Sequence, residues 1–452
     1  MTIAKGFVIA APSSGAGKTT VTLALLRALR ETGLRIASGK SGPDYIDPAF
    51  HEAASGRSCL NYDAWAMSLA QLSLNATEQE KHTDIVVIEG AMGLYDGAAD
   101  GSGSVAELAT HLGLPIILVV DCKSQSQSVA ALVHGFMTYK SPSHVVGVIL
   151  NRVGSERHER LLRRALDPLS VIVLGAFYRS DELTLPERHL GLVQAGERED
   201  LETFLQHAGE TAKNSVDVPA LLSLAQILAI PARENKELTG ISHLPPLGQH
   251  IAIAKDIAFA FCYDHLLDDW QRHGATLSFF SPLANEAPHA DAEAVFLSGG
   301  YPELHAEKLA DASRFKAGMK AAASAGKLIY GECGGYMVLG ETLIDKQGVG
   351  HEMLGLLPIE TSFAKRKLHL GYRQLKPTEA AIEAGLPWAK PLGAHEFHYS
   401  TVTAKQDAPA LFEAKDAEHT DLGEMGHING RAMGSFAHVV AERSEEWWSA
   451  SS

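Results

Sequence analysis

Two kinds of segment alternate over the first half of the chain: short runs apolar at every position, and longer stretches with apolar residues three or four apart. Phe7-Val8-Ile9-Ala10, Ile85 to Ile88 led in by Asp84, Pro115 to Val120, Val145 to Leu150 and Val171 to Leu174 are the runs. A strand apolar on both faces belongs inside a sheet covered by helices, which is the setting of a parallel sheet. Val21 to Arg30, with Leu23, Leu26 and Leu29 on one side, is predicted as the helix after the first strand. Polar residues close several runs: Glu89 after Ile88, Asp121 after Val120 and Asn151 after Leu150. Open α/β sheets place ligands just past the strand ends, so these positions carry the first functional interest.

The pattern restarts after a stretch containing Gly240, Pro245, Pro246 and Gly248. A strand at His250 to Ala254 is followed by a helix at Tyr263 to Arg272, then strands at Thr276 to Phe280 and Ala294 to Leu297. A long helical pattern covers Ala306 to Ala325, and a last strand runs into Cys333. The C-terminal third is mixed and gives no clear reading. At 452 residues the chain is long enough for two cores. The expected division is a first α/β domain over residues 1–234, a linker over 235–248 and a second α/β domain over 249–446.

Composition narrows the class. Hydrophobic residues are 46% and charged residues 21%, ordinary for a soluble globular protein. A net charge of -15 argues against nucleic acid as a partner, and any anionic substrate needs a local basic pocket. Cys59, Cys122, Cys262 and Cys333 form no CxxC pair, which argues against zinc or a disulfide framework and for a reducing, cytoplasmic setting. No apolar stretch is long enough to span a bilayer, and the apolar start runs into a glycine loop without a cleavage signature, so it is expected to be a strand.

That loop is Gly15-Ala16-Gly17-Lys18-Thr19-Thr20. It matches the phosphate-loop pattern only in part, because Pro12 stands where the first glycine is usual. Backbone N–H groups at a helix start can wrap phosphate; Lys18 would reach the terminal phosphates, and Thr19 would offer its hydroxyl to Mg²⁺. Glu89 and Asp44 are the candidate carboxylates for the metal, with strand-end and turn chemistry as the plain readings. Asn151 would read an adenine edge or simply start a turn. ATP and Mg²⁺ are therefore the expected cofactors.

Gly331-Glu332-Cys333-Gly334-Gly335 has the form of a nucleophile elbow, a tight strand-to-helix turn that needs small neighbours. A helix N-terminus behind Cys333 would lower its thiol pKa. His438 is the expected base, with His395 and His398 as competitors. Period-two spacing puts His395 and Phe397 on one strand face and Glu396 and His398 on the other. Gly300 and Gly334 would donate backbone N–H groups to an oxyanion.

With these motifs in hand, the C-terminal part resembles class I glutamine amidotransferases. The glutamate usual two residues after the histidine is Val440 here, and Glu442 lies four residues on. The whole chain resembles the cobyrinic acid a,c-diamide synthase family. The motifs that carry this are Ser14 to Thr19, Gly42-Pro43-Asp44-Tyr45-Ile46-Asp47-Pro48, Glu89 to Gly97, Gly299 to Glu303 and His395 to Ser400. The close, Gly434-Ser435-Phe436-Ala437-His438, looks more like the hydrogenobyrinic acid branch. The N-terminal domain is similar to the dethiobiotin synthetase fold. The resemblance implies a glutamine-hydrolysing carbon–nitrogen ligase of cobalamin biosynthesis. It would amidate the a and c acetates of a corrin acid, hydrogenobyrinic or cobyrinic, through acyl phosphates, with glutamine as donor. Asp44, Tyr45, Asp47 and Asp96 map onto the family's substrate region, and a homodimer is compatible with it. Lys40, Arg152, Arg179 and Arg188 are the cations considered for the substrate carboxylates. The alternative substrate is another tetrapyrrole such as nickel-sirohydrochlorin. An ATP-driven partition or metal-insertion switch would need no cysteine elbow. Ammonia would need a sheltered route between the two sites.

Overall fold

The computed structural model describes residues 4–140, 144–188, 191–229, 243–405 and 407–450, with only the backbone at 187, 188, 191, 192, 404 and 405. Residues 235–242 of the expected linker lie outside the described residues. The chain forms two compact units, Met1–Trp65 with Leu69–Ile241, and Ala66–Ser68 with Ser242–Ser452.

In the first unit the apolar runs become strands β1 (Lys5–Ala10), β4 (Ile85–Glu89), β5 (Ile116–Asp121), β6 (Val145–Val153) and β7 (Ile172–Tyr178). With β2 (Ile36–Ser41) and β3 (Cys59–Tyr62) they form a parallel sheet in the order β3-β2-β4-β1-β5-β6-β7, and Gln226–Ile227 pairs antiparallel with β1. β2 and β3 escaped the hydrophobic pattern because they read IASGKS and CLNY, yet both are buried throughout. Their polar groups are satisfied inside: Gln79 donates to the Ser38 carbonyl at 2.6 Å, and Asn61 donates to the Gly42 and Asp44 carbonyls at 3.0 and 2.7 Å. Helix α1 (Lys18–Arg30) starts three residues before the expected stretch, and Leu23, Leu26 and Leu29 are fully buried. Among the described residues no helix is long and apolar enough to cross a membrane.

The second unit carries strands β8 (His250–Ala254), β9 (Thr276–Phe280), β10 (Ala294–Leu297), β11 (Leu328–Glu332), β12 (Leu392–His398), β13 (His427–Asn429), β14 (Ala432–Ser435) and β15 (His438–Glu442). One sheet runs β9-β8-β10-β11-β14-β13, parallel except for the last pair. The long helical pattern is two helices, Ala306–Ala310 and Ser313–Ser324. The break has a local cause, since the Asn285 side chain accepts from the Arg314 and Phe315 N–H groups at 2.7 and 3.1 Å and caps the second helix. The unreadable C-terminal third is largely antiparallel: Asp421–Met425, Phe412–Lys415, His369–Pro377, β12 and β15 pair in that order. β12 is buried at every position but Phe397, which erases the alternation expected of a half-exposed strand.

Candidate active site

Cys333 sits where β11 ends and α3 (Gly334–Leu339) begins, at φ 47° and ψ -103°. A non-glycine residue at positive φ is strained, and the surroundings hold it there. The Cys333 N–H donates to the Ser435 carbonyl at 2.8 Å, extending the β11–β14 ladder one step past the strand. A β-carbon on Gly335 would overlap the Leu297 carbonyl, so the turn can close on β10 only with glycine there.

The same ladder delivers the histidine. Glu332 pairs with Ser435, and β15 begins three residues later at His438. The His438 ring lies against Gly299, where any β-carbon would overlap it, and the Phe261 ring centroid is 6.5 Å away. Its Nδ1 is 3.6 Å from Oε2 of Glu332, and Oε1 of Glu332 accepts from the Val439 N–H at 3.1 Å. His395 stands opposite His438 across β12 and β15. His398 faces the other way with Glu396, 2.7 Å apart, as the alternation predicts, and its Nδ1 bonds the Ser400 carbonyl at 2.9 Å. Arg373 also holds Glu396 at 2.7 Å. Glu442 pairs with Lys390 at 2.6 Å at the far end of β15. A β-carbon on Gly334 would lie 2.9 Å from the Gly300 nitrogen, so the backbones of the two expected oxyanion donors adjoin at the elbow.

The expected lowering of the thiol is reversed. Burial pushes Cys333 well above the usual thiol range; Glu303 adds to this, the Gly334 N–H opposes it, and Glu396 and Glu332 add further. α3 has only six residues, and its N–H groups do not outweigh the loss of water. The thiol is therefore held protonated and needs a base at hand.

In the first unit, Gly17 caps α1 at φ 84°, and a β-carbon there would overlap the Asn151 amide. Asn151 donates to the Ala16 carbonyl at 2.9 Å and accepts from the Arg152 N–H at 2.9 Å, so it braces the loop from β6. Gly15, Gly17, Lys18, Thr19, Thr20 and Asn151 line a cavity of about 230 Å³ that Arg152 and Arg179 also border. Lys18 donates to the Met92 carbonyl at 2.6 Å, and burial brings its ammonium down to about 8.

Thr19 donates to Glu89 at 2.7 Å and lies 3.3 Å from Asp47. Lys40 bridges the same two carboxylates, at 2.5 Å to Asp47 and 2.9 Å to Glu89. His51 holds the other Glu89 oxygen at 2.7 Å. Burial alone would raise the Glu89 carboxyl, but the Lys40 cation and His51 keep it below the usual carboxylate range. Burial and the neighbouring Asp44 push Asp47 up to about 6. One Asp44 oxygen accepts from the Ile46 and Asp47 N–H groups, and the other is 3.8 Å from Lys40. Asp96 accepts from the Gly93 N–H at 2.9 Å, and Tyr45 is half-buried in the loop before α2 (Asp47–Ser55).

Lys40 is thus no substrate cation: at 3% exposure it is an internal counter-ion. The side chain of Arg188 lies outside the described residues. Sequence reasoning passed over His51 and Glu332. The signal for Glu332 was present, as a carboxylate inside the elbow, but its neighbour is a hundred residues downstream and only the ladder brings the two together.

Residues 7–193 match the CobQ/CobB/MinD/ParA nucleotide binding domain, and residues 250–446 match the CobB/CobQ-like glutamine amidotransferase domain. Fold and sites together define a glutamine-dependent amidating ligase with a nucleotide-binding domain. The chain is 56% identical over 437 residues to a hydrogenobyrinate a,c-diamide synthase of Brucella anthropi, covering 96% of this chain and 98% of that one. It is 53% identical to the synthase of the same name from Rhizobium meliloti, covering 96% and 99%, and 49% identical to that of Rhodobacter capsulatus, covering 97% and 99%. The chain belongs to the hydrogenobyrinate a,c-diamide synthase family.

Proposed function

We propose that this chain converts the a and c acetate carboxylates of hydrogenobyrinic acid, a cobalt-free corrin, to amides in cobalamin biosynthesis, using ATP and glutamine. The full-length likeness to synthases of that name supports the substrate. The observation that carries the chemistry is the pairing in one chain of a phosphate loop with a cysteine elbow abutting a histidine.

A free carboxylate is a poor electrophile. Its oxygen attacks the γ-phosphorus of ATP, ADP leaves, and an acyl phosphate results. Lys18 at the loop steadies the transferring phosphoryl charge. In the second unit His438 takes the Cys333 proton, and the thiolate attacks the glutamine side-chain carbonyl carbon. The N–H groups of Gly300 and Gly334 hold the oxyanion. His438 returns the proton to the departing ammonia, and water releases glutamate from the thioester. Ammonia then attacks the acyl phosphate carbon and phosphate leaves. Asp47 and Asp96 border the carboxylate-activating step, with Asp44 and Tyr45 beside them.

The Thr19 hydroxyl and the Asp47 and Glu89 carboxylates are a hard-oxygen donor set at the phosphate loop, which suits magnesium, and Asp44 is the adjoining carboxylate. Bound there, magnesium would neutralise phosphate charge. An apolar groove of about 370 Å³, walled by Pro12, Tyr95, Phe136 and Tyr139 with Asp96 among its lining residues, offers a surface for a macrocycle face. The four free cysteines fit a reducing cytoplasm.

The test is product mass after incubation with ATP, Mg²⁺ and glutamine. Hydrogenobyrinic acid should gain two amides. Preferential amidation of cobyrinic acid or nickel-sirohydrochlorin would replace the substrate assignment. Absence of amidation on any of the three would overturn the reading.

A further inference from the structure

We propose that Glu332, the residue directly before the cysteine, is the positioning carboxylate for His438. The inference rests on reading Cys333 and His438 as the glutamine-hydrolysing pair. Oε1 of Glu332 accepts from the Val439 N–H at 3.1 Å and from the Tyr330 hydroxyl at 3.3 Å. Those two donors fix the carboxylate and leave Oε2 facing Nδ1 of His438 at 3.6 Å. Both side chains are sealed from water, at 3% and 1% exposure. The ring is also held from the Gly299 side, where there is no room for a β-carbon.

This placement does two things. It favours the tautomer with the proton on Nδ1, which leaves Nε2 as the basic atom. It also stabilises the imidazolium formed when the thiol proton moves to the ring. The second effect matters because burial disfavours the thiolate, so charge separation in this pocket needs a fixed counter-charge. No proton passes to Glu332. Catalytic contacts are often long before substrate binds, and the 3.6 Å separation is expected to shorten once the ring is charged. Other titratable groups facing this centre are His395 across the ladder, Cys333 at the elbow, Cys262 beside Glu332, and Glu303 and Glu396 near the thiol.

The test uses the full chain and reads two activities: glutamate release during synthesis, and synthesis from added ammonium. Glu332→Gln should lower kcat with glutamine by about 10- to 1,000-fold, leave the glutamine KM within about two-fold, and spare ammonium-driven synthesis. The ascending limb of its pH–rate profile should move to lower pH, because the ring loses a negative neighbour. An unchanged kcat and limb would overturn the proposal. Nitrogen-15 NMR of histidine-labelled unsubstituted protein, assigned against His438→Gln, gives an answer independent of how the variant folds. A proton on Nδ1 of neutral His438 supports the proposal, and a bare Nδ1 refutes it. Cys333→Ala separates the two levels. If that variant still hydrolyses glutamine, the underlying pair is wrong; if it does not while Glu332→Gln is unaffected, only the role of Glu332 fails.

Discussion

Single atoms decide much at these sites. Gly299 has no β-carbon because the His438 ring occupies that space. Gly299→Ala should therefore displace the ring and cut glutamine-driven turnover by roughly 100-fold, with a stability cost of about 1–3 kcal/mol, while ammonium-driven turnover holds. Parallel assays with the two nitrogen donors check this. Lys40 makes the opposite case, a charge kept for what it neutralises. Lys40→Met would leave Asp47 and Glu89 buried without their shared cation, a loss of about 3–5 kcal/mol that thermal unfolding would register. Neither role was legible in the sequence. Lys40 was considered as a cation for the substrate carboxylates, because a strand rich in glycine and serine carries no hydrophobic signal that would place it inside.

Whole elements set the pH limits of the second unit. Burial lowers His395 on β12 from 6.5 to about 3, with His438 adding to it, and lowers His265 on the helix Asp264–Arg272 from 6.5 to about 4. His265 is held neutral while its Nε2–H donates to the Val440 carbonyl at 2.9 Å. Both folded values lie below the unfolded one, so the unfolded chain takes up the protons first. Their contribution to stability is present above about pH 6.5 and is lost as pH falls, by about 1.4 kcal/mol per unit for each group. Between pH 7 and 5 the pair should cost about 4 kcal/mol, and His395→Gln should make that slope shallower. Urea unfolding followed by tryptophan fluorescence reads mainly this unit, which holds Trp270, Trp388, Trp447 and Trp448, with Trp65 in the other unit. The helix Ser128–Thr138 shows another element-scale feature: it is mostly apolar, yet only Val129 and Val133 on it are buried. Tyr139, just past its end, is 71% exposed. Tyr139→Ala is expected to raise KM for the corrin several-fold and leave that for ATP alone, by steady-state kinetics. An unchanged KM with an altered oligomeric state would assign the face to a second copy instead.

At the scale of the molecule, two activities share one chain and should be separable by substitution. Cys333→Ala is expected to abolish glutamine use, by at least about 100-fold, and to keep synthesis from ammonium. Lys18→Met is expected to abolish synthesis from either donor, since it acts before nitrogen enters. Strands β1 and β4 to β11, the glycine loop and the elbow were readable from residues alone. Each is specified locally, by continuous apolar runs or by glycines that a tight turn requires. Sheet order, the polar strands β2 and β3, the bridging of Asp47 and Glu89 by Lys40, and the meeting of Glu332 with His438 were not. These depend on which distant segments share hydrogen bonds and on how much water is excluded where they meet. The raised Cys333 thiol shows the difference most plainly. Its place in a turn follows from neighbouring glycines, but its acidity is set by burial and by carboxylates that the fold gathers from far along the chain.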